Sequence, residues 1–282
     1  MKLEIGHAMS DSEVLQIDIK KVIASKNPTL AKWLPGFIMS YIKRVLHQEE
    51  INAFLKRAHH LHDYDFVKAV LDLFSIQYIV HGIENVPKEG RFLFASNHPQ
   101  GAIDSMCFID AVHEHMGDCR FVVNDVLLTL KNFDPIFLPV NHFGGQNKEN
   151  ARLFDEAFKS NLQILYYPAG FVSRKIKGKV QDIDWKKSFI NLAIKYERSI
   201  VPVFIDTQNS AFFYRLSKIR TALGIKANIE MFYLADEMFK QTGKTLHLYF
   251  GKPISYTTLT ENKNSAELAR EIQRITYRLK SM

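Results

Sequence analysis

The chain has 282 residues, 46% hydrophobic and 24% charged, a globular composition with room for one large domain or two modest ones. Its formal net charge of +7 directs attention to anionic partners: a membrane surface, a phosphate-bearing substrate, an acidic carrier protein or nucleic acid. No stretch approaches the roughly 18 uninterrupted apolar residues that span a bilayer, so a membrane role, if any, is peripheral.

The opening MKLEIGHAMSDSEV lacks the apolar core of a signal peptide. Residues 1–75 read as a helical region. Within it Leu30, Trp33, Leu34, Phe37, Ile38, Tyr41, Ile42, Val45 and Leu46 fall on one stripe, with Lys32, Lys43, Arg44 and His47 off it. Pro35-Gly36 interrupts the stripe and predicts two short helices. Such a stripe suits either an interfacial membrane helix or a helix packed on a core.

Residues 76–282 alternate strands with helices. Strands are expected at Gln77–His81, Arg91–Ala95, Arg120–Asn124, Ile136–Val140, Gln163–Tyr167, Ile200–Ile205, Ile229–Leu234 and Leu246–Phe250. Most are short apolar runs rather than strict alternations, as in strands covered on both faces. Helices are expected at 103–116, 146–160, 185–197 (capped by Asp184), 210–221 and 266–280 (capped by Ser265). The fold class is therefore α/β, with a mostly parallel central sheet flanked by helices and preceded by an N-terminal helical region. Cys107 and Cys119 lack metal-site spacing and are expected as reduced thiols in a cytosolic setting.

Four stretches carry candidate chemistry. In Asn97-His98-Pro99-Gln100-Gly101-Ala102-Ile103-Asp104, a histidine ends a strand and an acid opens the next helix. Ligands in open α/β sheets gather at strand carboxyl ends. If the Pro99–Gly101 loop folds back, Asp104 fixes the imidazole tautomer and His98 can take a proton from an attacking hydroxyl. The bland alternative is a structural histidine beside a first-turn acid. In Pro139-Val140-Asn141-His142-Phe143-Gly144-Gly145, the glycines either approach a ligand or start a helix. In Tyr167-Pro168-Ala169-Gly170-Phe171-Val172-Ser173-Arg174, followed by Lys175, Lys177, Lys179, Lys186 and Lys187, a strand end offers backbone donors and a guanidinium to an anion, or is a solvated basic loop. The fourth is Val201-Pro202-Val203. His59, His60 and His62, and His113 and His115, are read as solvated rather than as metal ligands.

The order of these blocks resembles the glycerolipid acyltransferase superfamily. The five-residue gap between His98 and Asp104, with Pro-Ala-Gly-x-Val-Ser-Arg downstream, looks like its hemolysin-like branch, related to ornithine and glycine lipid O-acyltransferases. The resemblance covers roughly 76–255. It departs at Phe171, where that branch commonly has glutamate.

The resemblance implies transfer of a fatty acyl group from acyl carrier protein or coenzyme A to a lysolipid hydroxyl. A lyso-aminolipid is the first expectation for the acceptor and lysophosphatidic acid the second; a non-catalytic lipid-binding relative is the rival from another class, and a thioesterase or esterase a third. It implies His98 as base and Asp104 as its orienter. It implies substrate contacts among Asn97, Gly101, Gly144, Gly145, Gly170, Phe171, Ser173 and Arg174, with backbone amides near Gly101 or Gly170 serving the oxyanion. It implies no metal, no bound cofactor and no nucleic-acid partner. The expected location is cytoplasmic, on the inner face of the cell membrane.

Overall fold

A computed structural model describes residues 15–124, 130–140, 148–261 and 264–281. The chain divides into two compact units, one ending at Leu61 and one starting at His62.

In the first unit, helices α1 (Ile19–Lys26), α2 (Pro28–Trp33), α3 (Gly36–Val45) and α4 (Gln48–Ala58) follow one another. Asp18 caps α1, its carboxylate accepting from the N–H groups of Lys20 and Lys21. The stripe does break at Pro35-Gly36. Trp33 and Phe37 flank the break and are 80% and 76% exposed.

The second unit begins with α5 (Asp63–Leu73) and holds a seven-stranded sheet in the order β1-β9-β8-β2-β5-β3-β4. The strands are β1 (Gln77–His81), β2 (Phe92–Ser96), β3 (Cys119–Asn124), β4 (Phe137–Val140), β5 (Gln163–Tyr166), β8 (Ser199–Asp206) and β9 (Thr245–Phe250). Neighbours pair in parallel except β8 with β9. The helices of this unit are α6 (Ile103–Met116), α7 (Lys148–Lys159), α8 (Ser188–Lys195), α9 (Ala211–Ala222), α10 (Leu234–Phe239), α11 (Tyr256–Thr260) and α12 (Ser265–Arg278).

All five residues of β2 are buried, as the continuous apolar run required. Leu93 and Ala95 pack with Trp185, Phe189 and Ile190 around α8 and with Leu268 and Ile272 of α12. From β2 the chain passes to β3 and β4 on one side, then returns through β5 to β8 on the other. The carboxyl end of β2 therefore sits where the strand order reverses, the usual place for a ligand crevice.

One buried cation braces this sheet. Arg198 is fully buried and donates to the carbonyls of Phe158, Phe92, Leu162, Ala157 and Ser160. Most of these carbonyls lie at the carboxyl end of α7, which attracts a cation. Burial pulls the Arg198 pKa down to about 10, with Arg91 nearby adding to the fall.

Four expectations are corrected. Ile229–Leu234 is not a strand but a 3-10 turn, Ile229–Tyr233, leading into α10. A short apolar run does not distinguish the two by periodicity, and here Glu230 must reach inward to its cationic partners. The basic stretch after Arg174 is not a loop. It forms a hairpin of β6 (Arg174–Ile176) and β7 (Lys179–Gln181). Lys177 and Gly178 both take positive φ, 49° and 84°, as a two-residue hairpin turn demands. The third helix starts at Ser188 rather than 185, because Trp185 is drawn into the core instead. Asn264, not Ser265, caps the last helix, its side chain accepting from Ala266 N–H.

Candidate active site

The loop after β2 does fold back. His98 Nδ1 lies 3.0 Å from Asp104 Oδ2, close enough for the ring to donate to the carboxylate. That leaves Nε2 as the acceptor. The return is made possible by Gly101, whose φ is +117° and whose missing side chain leaves room beside Val172 and Leu234. Asp104 is fully buried in the first turn of α6. It also accepts from the backbone N–H groups of Gln100, Gly101 and Ser105, each at 3.0 Å. Burial pushes its carboxyl up, but His98 and these backbone donors outweigh that, and the net effect holds it below the ordinary carboxylate range. Asp104 thus both opens its helix and orients the histidine.

The His98 ring stacks on Tyr167, centroids 3.9 Å apart. Tyr167 in turn lies 3.3 Å from Ser105 through the two hydroxyls. Burial drives the Tyr167 phenol well above its usual range, so it stays protonated. His98 lines a cleft of about 170 Å³ with Gly101, Ser105, Phe121, Val123, Tyr167, Pro168, Gly170 and Lys186. The lining thus combines apolar and aromatic side chains with the Lys186 ammonium.

A second clamp holds the histidine's backbone. Ser173 N–H donates to His98 C=O at 2.7 Å. Asp182 accepts from His98 N–H at 3.3 Å, from the Ser173 hydroxyl, and from the Trp185 indole at 2.9 Å. Its own N–H donates to the Tyr277 hydroxyl. Burial pushes the Asp182 carboxyl up despite these donors. Sequence reading missed Asp182. Its signal was the Gln-Asp-Ile-Asp-Trp run after the hairpin, which spacing alone does not connect to His98.

Other expected contacts are placed differently. Asn97 is buried, and its amide is engaged at both ends: Nδ2 donates to Ile205 C=O and Oδ1 accepts from Ile205 N–H. It joins β2's end to β8 and does not line the cleft. Ser173 is buried in the clamp. Arg174 pairs with buried Glu230 at 3.2 Å, and Arg220 pairs with the same carboxylate at 2.8 Å. Its charge is compensated internally; among the described residues the cation lining the cleft is Lys186. Gly101 N–H serves Asp104 and Gly170 N–H serves Tyr167 C=O, so neither is open to an oxyanion. Phe171 is 44% exposed, with Lys186 Nζ 5.7 Å from its ring centre. Gly144 and Gly145 lie outside the described residues. His113 and His115 are half-buried: His113 stacks on Tyr64 and His115 donates to Val86 C=O. Among the described residues no group of His, Cys, Asp and Glu could hold a metal ion. Burial raises the thiols of Cys107 and Cys119 away from reactivity.

A buried acid thus orients a half-buried histidine that lines a cleft. The model of a family described as acyltransferase matches residues 21–282. The chain belongs to the acyltransferase family. It is 40% identical over 272 residues to a lyso-glycine lipid O-acyltransferase of Bacteroides thetaiotaomicron, covering 96% of this chain and all of that one. It is 37% identical over 272 residues to a protein of the same name from Phocaeicola vulgatus, covering 96% and 98%. A solved structure of the 1-acyl-sn-glycerophosphate acyltransferase PlsC from Thermotoga maritima aligns with a TM-score of 0.48 at 16% identity, over 87% of this chain and 93% of that one. This acyltransferase is an enzyme, and the non-catalytic alternative falls away. The family match begins at residue 21, within the N-terminal helical region.

Proposed function

We propose that this acyltransferase moves a fatty acyl group from an acyl carrier protein or coenzyme A thioester to the hydroxyl of a lyso-aminolipid, with a lyso-glycine lipid as the acceptor. The observation that carries the mechanism is the 3.0 Å contact between His98 and Asp104 beside an open cleft. The names of the two relatives support the acceptor.

His98 Nε2 removes the acceptor's hydroxyl proton as that oxygen attacks the thioester carbonyl. The imidazolium formed is stabilised by Asp104, which remains a carboxylate. Collapse of the tetrahedral adduct breaks the carbon–sulfur bond, and the imidazolium returns its proton to the thiolate. No covalent protein intermediate is needed: Ser105 Oγ lies beside Tyr167 OH, and Cys107 is buried.

A glycine headgroup joined through its nitrogen ends in a carboxylate. Lys186 lines the cleft and is the cation suited to hold that group. Phe171 beside it leaves the ammonium uncompensated, whereas a glutamate there would compete for it. The exposed Trp33 and Phe37, with Lys32 in the last turn of α2, support peripheral attachment at a membrane surface, on the inner face where the carrier is available.

The test is direct. Purified protein supplied with an acyl thioester and lyso-glycine lipid is expected to release the free thiol and form the diacyl product. His98→Ala is expected to slow this by roughly 10²–10⁴ while the protein stays folded. Absence of product across a panel of lysolipids defeats the acceptor assignment, and turnover by His98→Ala at the native rate removes the assigned base.

A further inference from the structure

Helix α9 is apolar on two faces. Its inward face buries Phe213, Tyr214 and Ser217. Its outward face carries Phe212, Ile219 and Leu223, the last two 57% and 69% exposed, and the loop beyond leaves Ile225 and Ile229 exposed as well. A helix apolar on both faces is expected to be covered on both, and exposed apolar residues gathered on one helical face mark an interaction site.

Within the stretch that carries the patch the charges have one sign. From Thr207 to Ile229 there is no Asp or Glu, while Arg215, Lys218, Arg220 and Lys226 all fall in that stretch. Arg220 is committed to Glu230, but Arg215 and Lys218 are exposed and meet Lys175 and Lys177 of the β6–β7 hairpin around a cleft of 460 Å³. On α9 itself, Phe212, Arg215, Ile219 and Leu223 follow the three- and four-residue spacing of one helical face. Exposed aliphatic and aromatic residues with cationic neighbours fit a surface that is greasy within and negative at its rim.

We propose that the outward face of α9 and the loop after it dock on an anionic lipid bilayer. Ile219, Leu223 and Ile225 enter the boundary between headgroups and acyl chains, and Arg215 and Lys218 meet lipid phosphates. Ile219, Leu223 and Ile225 are exposed and line neither cleft described above, and their neighbours on the chain are cationic, which favours a deformable anionic lipid partner over a folded protein. The inference rests on the reading that the acceptor lipid lies in a bilayer. It assigns a second attachment element, independent of the N-terminal stripe.

The test uses the full chain with vesicles of phosphatidylcholine alone and with added phosphatidylglycerol, read by flotation. Wild type is expected to float with the anionic vesicles and to lose binding as salt rises. The double variant Ile219→Ser/Leu223→Ser is expected to bind on the order of ten-fold more weakly. Arg215→Glu/Lys218→Glu, which removes no apolar group, is expected to lose the preference for anionic vesicles. Circular dichroism checks that both remain folded.

Acyl transfer to acceptor in detergent micelles is measured in parallel. A wild type that makes no product there defeats the functional reading and leaves the flotation result standing. Variants that float like wild type overturn the docking proposal and leave the functional reading standing. Variants that float like wild type yet lose transfer from the carrier-protein thioester, while keeping transfer from the coenzyme A thioester, assign the face to the acidic carrier and overturn the lipid proposal.

Discussion

Lys186 Nζ lies 5.7 Å from the centre of the Phe171 ring, at the cleft that His98 lines. The relationship turns an apparent loss into a consequence. Where the related branch commonly carries glutamate, this chain offers a ring that attracts the ammonium weakly and leaves its charge available to a substrate. Phe171→Glu would set a carboxylate beside that ammonium. The expected outcome is a KM for an anionic lyso-aminolipid raised several-fold, with a smaller change for an uncharged acceptor alcohol. Equal kinetics for the two proteins with both acceptors would remove Lys186 from acceptor recognition.

Asp182 accepts from His98's backbone N–H and does not line the cleft. Replacing it by asparagine keeps its size but loses one acceptor where Ser173, Trp185 and His98 all donate. Asp182→Asn is expected to lower kcat by about ten-fold or more with KM little changed, since a displaced base loses orientation rather than binding. Relief from burying a charge offsets part of the stability cost, so the protein is expected to remain folded. A fall in kcat matched only by loss of folded protein would make Asp182 merely structural.

Asp104 sets a pH expectation. Its folded value lies below that of the free side chain, so it stabilises the fold fully above the unfolded value, about 3.9, and this contribution is lost as pH falls through the folded value. Carboxyl NMR should place its titration below about 3.9. Between about pH 4 and 3, wild-type stability should fall more steeply than that of Asp104→Asn. A titration midpoint above about 4 would contradict the hydrogen-bonded site described.

Arg198 predicts stability without chemistry. Its guanidinium reaches five backbone carbonyls that no shorter group can serve together. Arg198→Lys is expected to cost about 2–4 kcal/mol, since it strands buried acceptors. Urea unfolding measures it. Turnover per folded molecule should stay near that of wild type.

The N-terminal stripe can be watched by fluorescence. The chain has two tryptophans, of which Trp185 is buried and Trp33 exposed. Adding anionic vesicles is expected to shift the emission to the blue, and Trp33→Phe should abolish the shift. An unchanged spectrum would detach Trp33 from the lipid.

Much of this was legible in one dimension. The apolar Phe92–Ala95 run of β2, the proline and glycine after it and the acid at the head of α6 determined a strand, a fold-back and a helix start, because local sterics and burial dictate them. Ordered blocks of weak motifs determined the family. What the sequence left open were relations between distant segments. Asn97 and Arg174 carry groups suited to a substrate, but Ile205 and Glu230 claim them, and only the packed chain brings those partners within reach. Asp182 stands 84 positions from the histidine whose N–H it accepts. The length of the Ile229–Leu234 run fitted a strand, yet the need to pair buried Glu230 with Arg174 and Arg220 went with a turn and a helix. Hydrophobic pattern says which residues leave water. Which buried polar group satisfies which is decided in three dimensions, because an unpaired one costs too much to tolerate.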